Sequence, residues 1–104
     1  MDELRFNVET PLQFTVRVTE RYWQIIATTK HPAVAEKINE VQRVLTDPEV
    51  VNRSRSDPDV YLFYRLQSSS RWLCAVVKRL NGDGFLITAY PTDSIKVGEQ
   101  IWQK

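Results

Sequence analysis

The sequence predicts an α+β domain in which helices pack on one face of an antiparallel sheet. Three observations lead there. Period-two alternation opens the chain, one strongly amphipathic segment occupies its middle, and apolar β-rich runs fill its second half. The last of these, Arg71 to Asp93, reads as two strands around Asn81-Gly82-Asp83-Gly84, a turn whose residues tolerate positive φ.

Taken in order, Leu4-Arg5-Phe6-Asn7-Val8 alternates as a strand, and Thr10-Pro11 ends it. Phe14-Thr15-Val16-Arg17-Val18 alternates again as its hairpin partner. Thr19 is a good N-cap for a helix, and Glu20 suits the positive end of the helix dipole. Tyr22, Trp23, Ile25 and Ile26 form that helix's apolar side, and His31-Pro32 stops it, because a residue before proline is driven out of the α region. Pro32 then suits the first position of a second helix. Val34, Ile38, Val41, Val44 and Leu45 recur along it at spacings of four and three, leaving Glu36, Lys37, Glu40 and Arg43 outside. Asp47-Pro48 closes the helix, with one further turn expected through Val51. Arg53 to Pro58 is a polar loop, Val60 to Leu66 a strand, and Gln67 to Ser70 a turn. The segment after Thr92 is expected to hold a loose turn anchored by Ile95, Ile101 or Trp102. The predicted order is β-β-α-α-β-β-β.

A chain of 104 residues, 42% of them hydrophobic, can build one domain, 1–104, around a single core. No apolar run approaches the roughly 20 residues of a membrane span. The acidic opening MDELRFNVET does not read as a secretory signal. Cys74 has no cysteine partner and lies inside a strand pattern, so a buried thiol and a cytoplasmic setting are expected. A net charge of +1 argues against broad, charge-driven nucleic-acid binding and leaves room only for a local basic site. One histidine and one cysteine offer no metal-ligand spacing, so no metal and no cofactor are expected.

The register of the second-half hairpin decides which side chains share a face. With odd positions opposite odd, Leu73, Ala75 and Val77 join Phe85, Ile87 and Ala89 on a wholly apolar face. The other face carries Trp72, Cys74, Val76, Lys78, Leu86, Thr88 and Tyr90. The alternative parity leaves neither face cleanly apolar, and a one-residue slip flips every side chain, so the first is expected. It requires an odd loop, with Gly82-Asp83-Gly84 as a type I turn and Gly84 in the left-handed region. Lys78 should then lie nearly opposite Thr88, away from the helices, with Tyr64 joining from the neighbouring strand. A surface bearing Lys, Thr and two Tyr, beside a loop with Arg53 and Arg55, suits a phosphodiester. Arginine holds phosphate oxygens bidentately, lysine adds charge, and tyrosine stacks or donates.

Several segments in order carry a likeness: His31-Pro32 opening an amphipathic helix that ends in LTDPEVV, then Arg53-Ser54-Arg55-Ser56-Asp57-Pro58-Asp59-Val60-Tyr61-Leu62-Phe63-Tyr64, a strand ending in VVK, and GFLITAYPTD. Together they resemble the RelE-like branch of the barnase–EndoU–colicin–RelE nuclease superfamily, including its phage-type members, over about residues 19–95. The resemblance implies two to three helices on one face of a four- to five-stranded antiparallel sheet. It also implies a metal-independent endoribonuclease, toxin-like, in which the ribose 2′-hydroxyl attacks the adjacent phosphate. RNA, and an antitoxin or other protein, are the partners it implies. The residues then expected to act are His31, Arg55, Tyr64, Thr88 and Tyr90, with Arg53 and Lys78 holding RNA. Each also has a plain structural reading: His31 as a helix boundary, the arginines as solvated loop charges, Tyr64, Thr88 and Tyr90 as good β-formers, Lys78 as a fraying strand end. The competing function is a non-catalytic protein- or RNA-binding module on the same surface, and a third reading is an orphan domain that dimerises through a hairpin edge.

Overall fold

The computed structural model describes residues 3–96 and 98–104. They form seven strands: β1 (Leu4–Glu9), β2 (Thr15–Thr19), β3 (Val50–Arg53), β4 (Val60–Ser68), β5 (Arg71–Leu80), β6 (Asp83–Thr92) and β7 (Glu99–Gln103). Two short α-helices, α1 (Glu20–Ile25) and α2 (Ile38–Thr46), lie between β2 and β3. The strands make one sheet in the order β1-β2-β6-β5-β4-β3-β7. All neighbours run antiparallel except β2 and β6, which pair in parallel at Val16–Gly84 and Arg17–Phe85. No helix among the described residues is long and apolar enough to cross a membrane.

This corrects the expected architecture. The sheet is seven-stranded and mixed, where four to five antiparallel strands with two to three packed helices were expected. Two strands account for the number. Val50–Arg53, where a further turn through Val51 and then a polar loop were expected, pairs with β4, and the C-terminal Glu99–Gln103, expected as a loose turn, pairs with β3 at the sheet's edge. Both are too short to show periodicity. The second helix is also shorter than its apolar spacing implies. Pro32–Val34 makes one 3-10 turn, and α2 starts only at Ile38.

Local chemistry explains the elements that do match. Thr19 caps α1, its hydroxyl accepting from the Tyr22 N–H at 3.1 Å. On α2, Val41, Val44 and Leu45 are fully buried, each contributing about 1.5–3 kcal/mol of apolar transfer. They lie on a sheet face built from Phe63, Leu73, Ala75, Val77, Leu86 and Ala89. The sheet curls over this face: Phe14, just before β2, meets Tyr61 and Phe63 of β4 with ring centroids 5.5 and 6.4 Å apart.

The β5–β6 hairpin follows the expected odd-with-odd parity only from Trp72 to Val76; nearer the turn, odd positions face even ones. Its turn is the two-residue Asn81-Gly82, with φ of 54° and 87°, as a type I′ turn requires. Gly84 has no positive φ and sits buried within β6. A two-residue turn places Lys78 opposite Phe85 and Val77 opposite Leu86. A bulge between Val76 and Val77 then shifts the register, so Val76 faces Thr88, Ala75 faces Ala89 and Cys74 faces Tyr90. The bulge exchanges the expected faces of two side chains: Leu86 is buried and Phe85 is exposed. Lys78 therefore lies opposite Phe85, not Thr88.

Candidate active site

The face of β4, β5 and β6 turned away from α2 is built in rows. Leu62, Val76 and Thr88 stand side by side across the three strands, and so do Tyr64, Cys74 and Tyr90. Over them lies a cleft of about 590 Å³ with Val60, Leu62 and Val76 as its apolar part and Thr88 and Tyr90 beside them. Three segments outside these strands complete it.

The first brings His31. After α1 the chain makes a π-helical turn, Ile26–Lys30, closed by the His31 N–H donating to the Ile26 carbonyl at 2.9 Å. Such turns interrupt regular helices and are frequent at functional sites. His31 emerges half-buried, its ring 5.2 Å from that of Tyr90 and tilted by 37°.

The second is the loop between β3 and β4, which carries Ser54, Arg55 and Ser56 into the cleft wall. The Ser54 N–H donates to the Val60 carbonyl, and the Ser56 N–H to the Ser54 hydroxyl. Asp57 locks the far end: one oxygen accepts the Asp59 N–H at 3.0 Å, the other the Lys78 ammonium at 3.1 Å. These two bonds hold its carboxyl below the usual carboxylate range, the backbone donor contributing most.

The third is the connection from β6 to β7, which must cross β5, β4 and β3 to reach the sheet's edge. It passes over Tyr64, whose phenol oxygen accepts the Lys96 N–H at 3.1 Å, while the buried Asn52 amide donates to the Lys96 carbonyl at 3.3 Å. The Lys96 side chain lines the cleft, its ammonium 5.8 Å from the centre of the Tyr90 ring.

The charge in this cleft is one-sided. Among the described residues Arg55 has no hydrogen bond or ion pair, and the Lys96 ammonium, beside the Tyr90 ring, has no hydrogen bond or ion pair to a carboxylate. No Asp or Glu stands among the described residues that line the cleft. Elsewhere several arginines and lysines are paired with carboxylates, as in Arg5–Glu20, Arg65–Asp47 and Lys104–Asp47. Beneath the cleft, burial pushes the Tyr64 phenol up to about 12 and the Cys74 thiol up to about 11, and raises Tyr90 further. All three keep their protons at neutral pH, so Tyr90 is a hydrogen-bond donor and Cys74 an inert thiol. Thr88 lines the cleft, but its hydroxyl oxygen is buried beneath the surface and has no hydrogen-bond partner among the described residues.

Of the residues singled out from the sequence, His31, Arg55, Thr88 and Tyr90 line this one cleft. Tyr64 is fully buried and meets the cleft only through Lys96. Lys78 is held by Asp57, and Arg53 turns to Glu99, with its guanidinium 5.5 Å from the centre of the Tyr61 ring. Sequence reasoning missed Lys96. Its signal was a lysine in the polar segment directly after GFLITAYPTD, but only the path of the crossing loop places it. Among the described residues no three His, Cys, Asp or Glu side chains gather as a metal cluster. Comparisons with protein-family models, curated proteins and solved structures find no match to this chain.

Proposed function

We propose that the cleft is the active site of an endoribonuclease that cleaves RNA through its own 2′-hydroxyl without a metal ion. One observation carries the reading: an imidazole, a guanidinium and an ammonium meet on a single cleft whose described lining holds no carboxylate. A phosphodiester supplies the missing negative charge. Arg55 and Lys96 hold its non-bridging oxygens and meet the charge that builds on them in the pentavalent transition state. His31 takes the proton from the 2′-hydroxyl, since imidazole is the side-chain type suited to proton transfer near neutral pH. The 2′-oxygen bonds to phosphorus as the bond from phosphorus to the 5′-oxygen breaks. Tyr90, kept protonated by burial, gives its proton to that leaving oxygen and recovers one from water, while His31 releases its own. The products are a 2′,3′-cyclic phosphate and a 5′-hydroxyl.

The test is single-turnover cleavage of several RNAs in excess chelator. Wild type should cleave, and His31→Ala should lower the rate about 10²–10⁴-fold. Arg55→Ala should slow cleavage and reduce the salt dependence of RNA binding. Equal cleavage by wild type and both variants would remove this site from the chemistry. No cleavage of any RNA would leave a binding module.

A further inference from the structure

A second hollow, of about 310 Å³, lies next along β6, lined chiefly by Val18, Tyr22, Phe85, Leu86 and Ile87, with Arg17 at its lip. It exists because β2 leaves β6 after two paired residues and turns into α1. The main chain at Ile87 therefore has no strand on that side, and its carbonyl accepts from the Tyr22 hydroxyl and the Lys30 ammonium, each at 3.0 Å. The β5–β6 bulge turns Phe85 out, leaving it 38% exposed. Bulges next to active sites commonly re-aim a side chain in this way. The Arg17 guanidinium carbon lies 5.7 Å from the Phe85 ring centre, and its ion pair with Asp83 is exposed and therefore weak. Among the described residues the Lys30 ammonium contacts neutral oxygens and the Tyr22 ring.

An exposed aromatic ring with cations nearby is how proteins hold single-stranded nucleic acid: the ring takes a base and the cations take the backbone, here Arg17 at the Phe85 ring and Lys30 farther along at the Ile87 carbonyl. Phe85 lies three residues before Thr88, about 10 Å along the strand. A few stacked nucleotides, at about 3.4 Å each, span that length. A base paired within a duplex is not free to stack on the ring. We infer that this hollow is a second nucleotide subsite, in which a base of single-stranded RNA stacks on Phe85 while Arg17 and Lys30 meet the phosphates leading to the cleft. The inference rests on the ribonuclease reading for its substrate class.

Two measurements test it. The first is the gain in kcat/KM from a ribodinucleotide, which fills only the cleft, to a single-stranded hexanucleotide. Phe85→Ala should reduce that gain by roughly 5- to 150-fold, the range of one base–aromatic stack, and Phe85→Trp should retain it. The second is the anisotropy of a labelled 2′-O-methyl hexanucleotide, which cannot be cleaved; its affinity should fall by a similar factor in Phe85→Ala, and a duplex competitor should fail to displace it from wild type. Because Phe85 is partly exposed, a thermal melt of the variant should show an intact fold. Cleavage without any effect of Phe85 on the length gain would overturn the subsite and leave the nuclease standing. Binding that depends on Phe85 without cleavage would keep the subsite and remove the nuclease. A concentration-dependent dimer abolished by Phe85→Ala, with no effect on RNA, would overturn the subsite in favour of a contact between copies.

Discussion

Tyr64 shows how a residue can matter to this site without touching what it binds. Its ring is fully buried, and its phenol oxygen accepts the Lys96 N–H. Removing that oxygen leaves a partly buried donor unpaired, which costs about 1–3 kcal/mol. Tyr64→Phe should therefore loosen the loop that carries Lys96 and raise KM for RNA, while kcat falls far less than in His31→Ala. A matching collapse of kcat would mean that Tyr64 acts directly. At this scale the sequence was informative where chemistry depends on residue type. His31 before a proline, Arg55 in a polar loop, and Thr88 and Tyr90 within an apolar run stand out as polar or ionisable side chains, and all four line the cleft. Lys78 and Arg53 have the same appearance in the sequence but are taken up by Asp57 and Glu99. Pairing of that kind depends on loops folding back, which no local pattern records.

At the scale of the element, the three central strands couple the site to stability. Tyr64, Cys74 and Tyr90 form one row, and burial raises all three, Cys74 to about 11 and Tyr64 to about 12. The unfolded chain loses these protons first as pH rises, so the folded state holds more protons there and loses stability. The melting temperature should be level in this respect below about pH 9 and fall steadily from there through pH 12. Cys74→Ala should flatten the early part of the fall; an unchanged profile from pH 9 to 12 would contradict the buried row. The β5–β6 hairpin teaches a related lesson. Its parity from Trp72 to Val76 was legible because one face must be apolar, yet the opposite parity beside the turn, and the bulge that joins the two, were not. Asn81-Gly82 makes the tight turn, and a bulge corrects the register. Gly84 is instead the meeting point of β2 and β6: a Cβ there would lie 2.8 Å from the Phe14 ring and 3.0 Å from Val16. Gly84→Ala should cost about 1–3 kcal/mol by overpacking, measured by urea unfolding, although its backbone angles are ordinary.

Across the whole molecule, long-range pairing decides what local pattern leaves open. The helix-facing core was legible in the spacing of Val41, Val44 and Leu45 and in the apolar strands beneath them. The parallel β2–β6 pair was not, because nothing in either segment names its neighbour, and β3 and β7 were too short to read. Those same features make the site. The departure of β2 from β6 brings α1 and its π turn to the sheet's rim with His31, and the long crossing to β7 lays Lys96 over the open face. The central claim is that this cleft cuts RNA with its own imidazole and cations. The measurement that tests it most directly is the end-group analysis of RNA incubated with purified protein in chelator. The account predicts 2′,3′-cyclic phosphate and 5′-hydroxyl ends that disappear with His31→Ala; 3′-hydroxyl and 5′-phosphate ends, or cyclic-phosphate ends that persist unchanged in that variant, would contradict it.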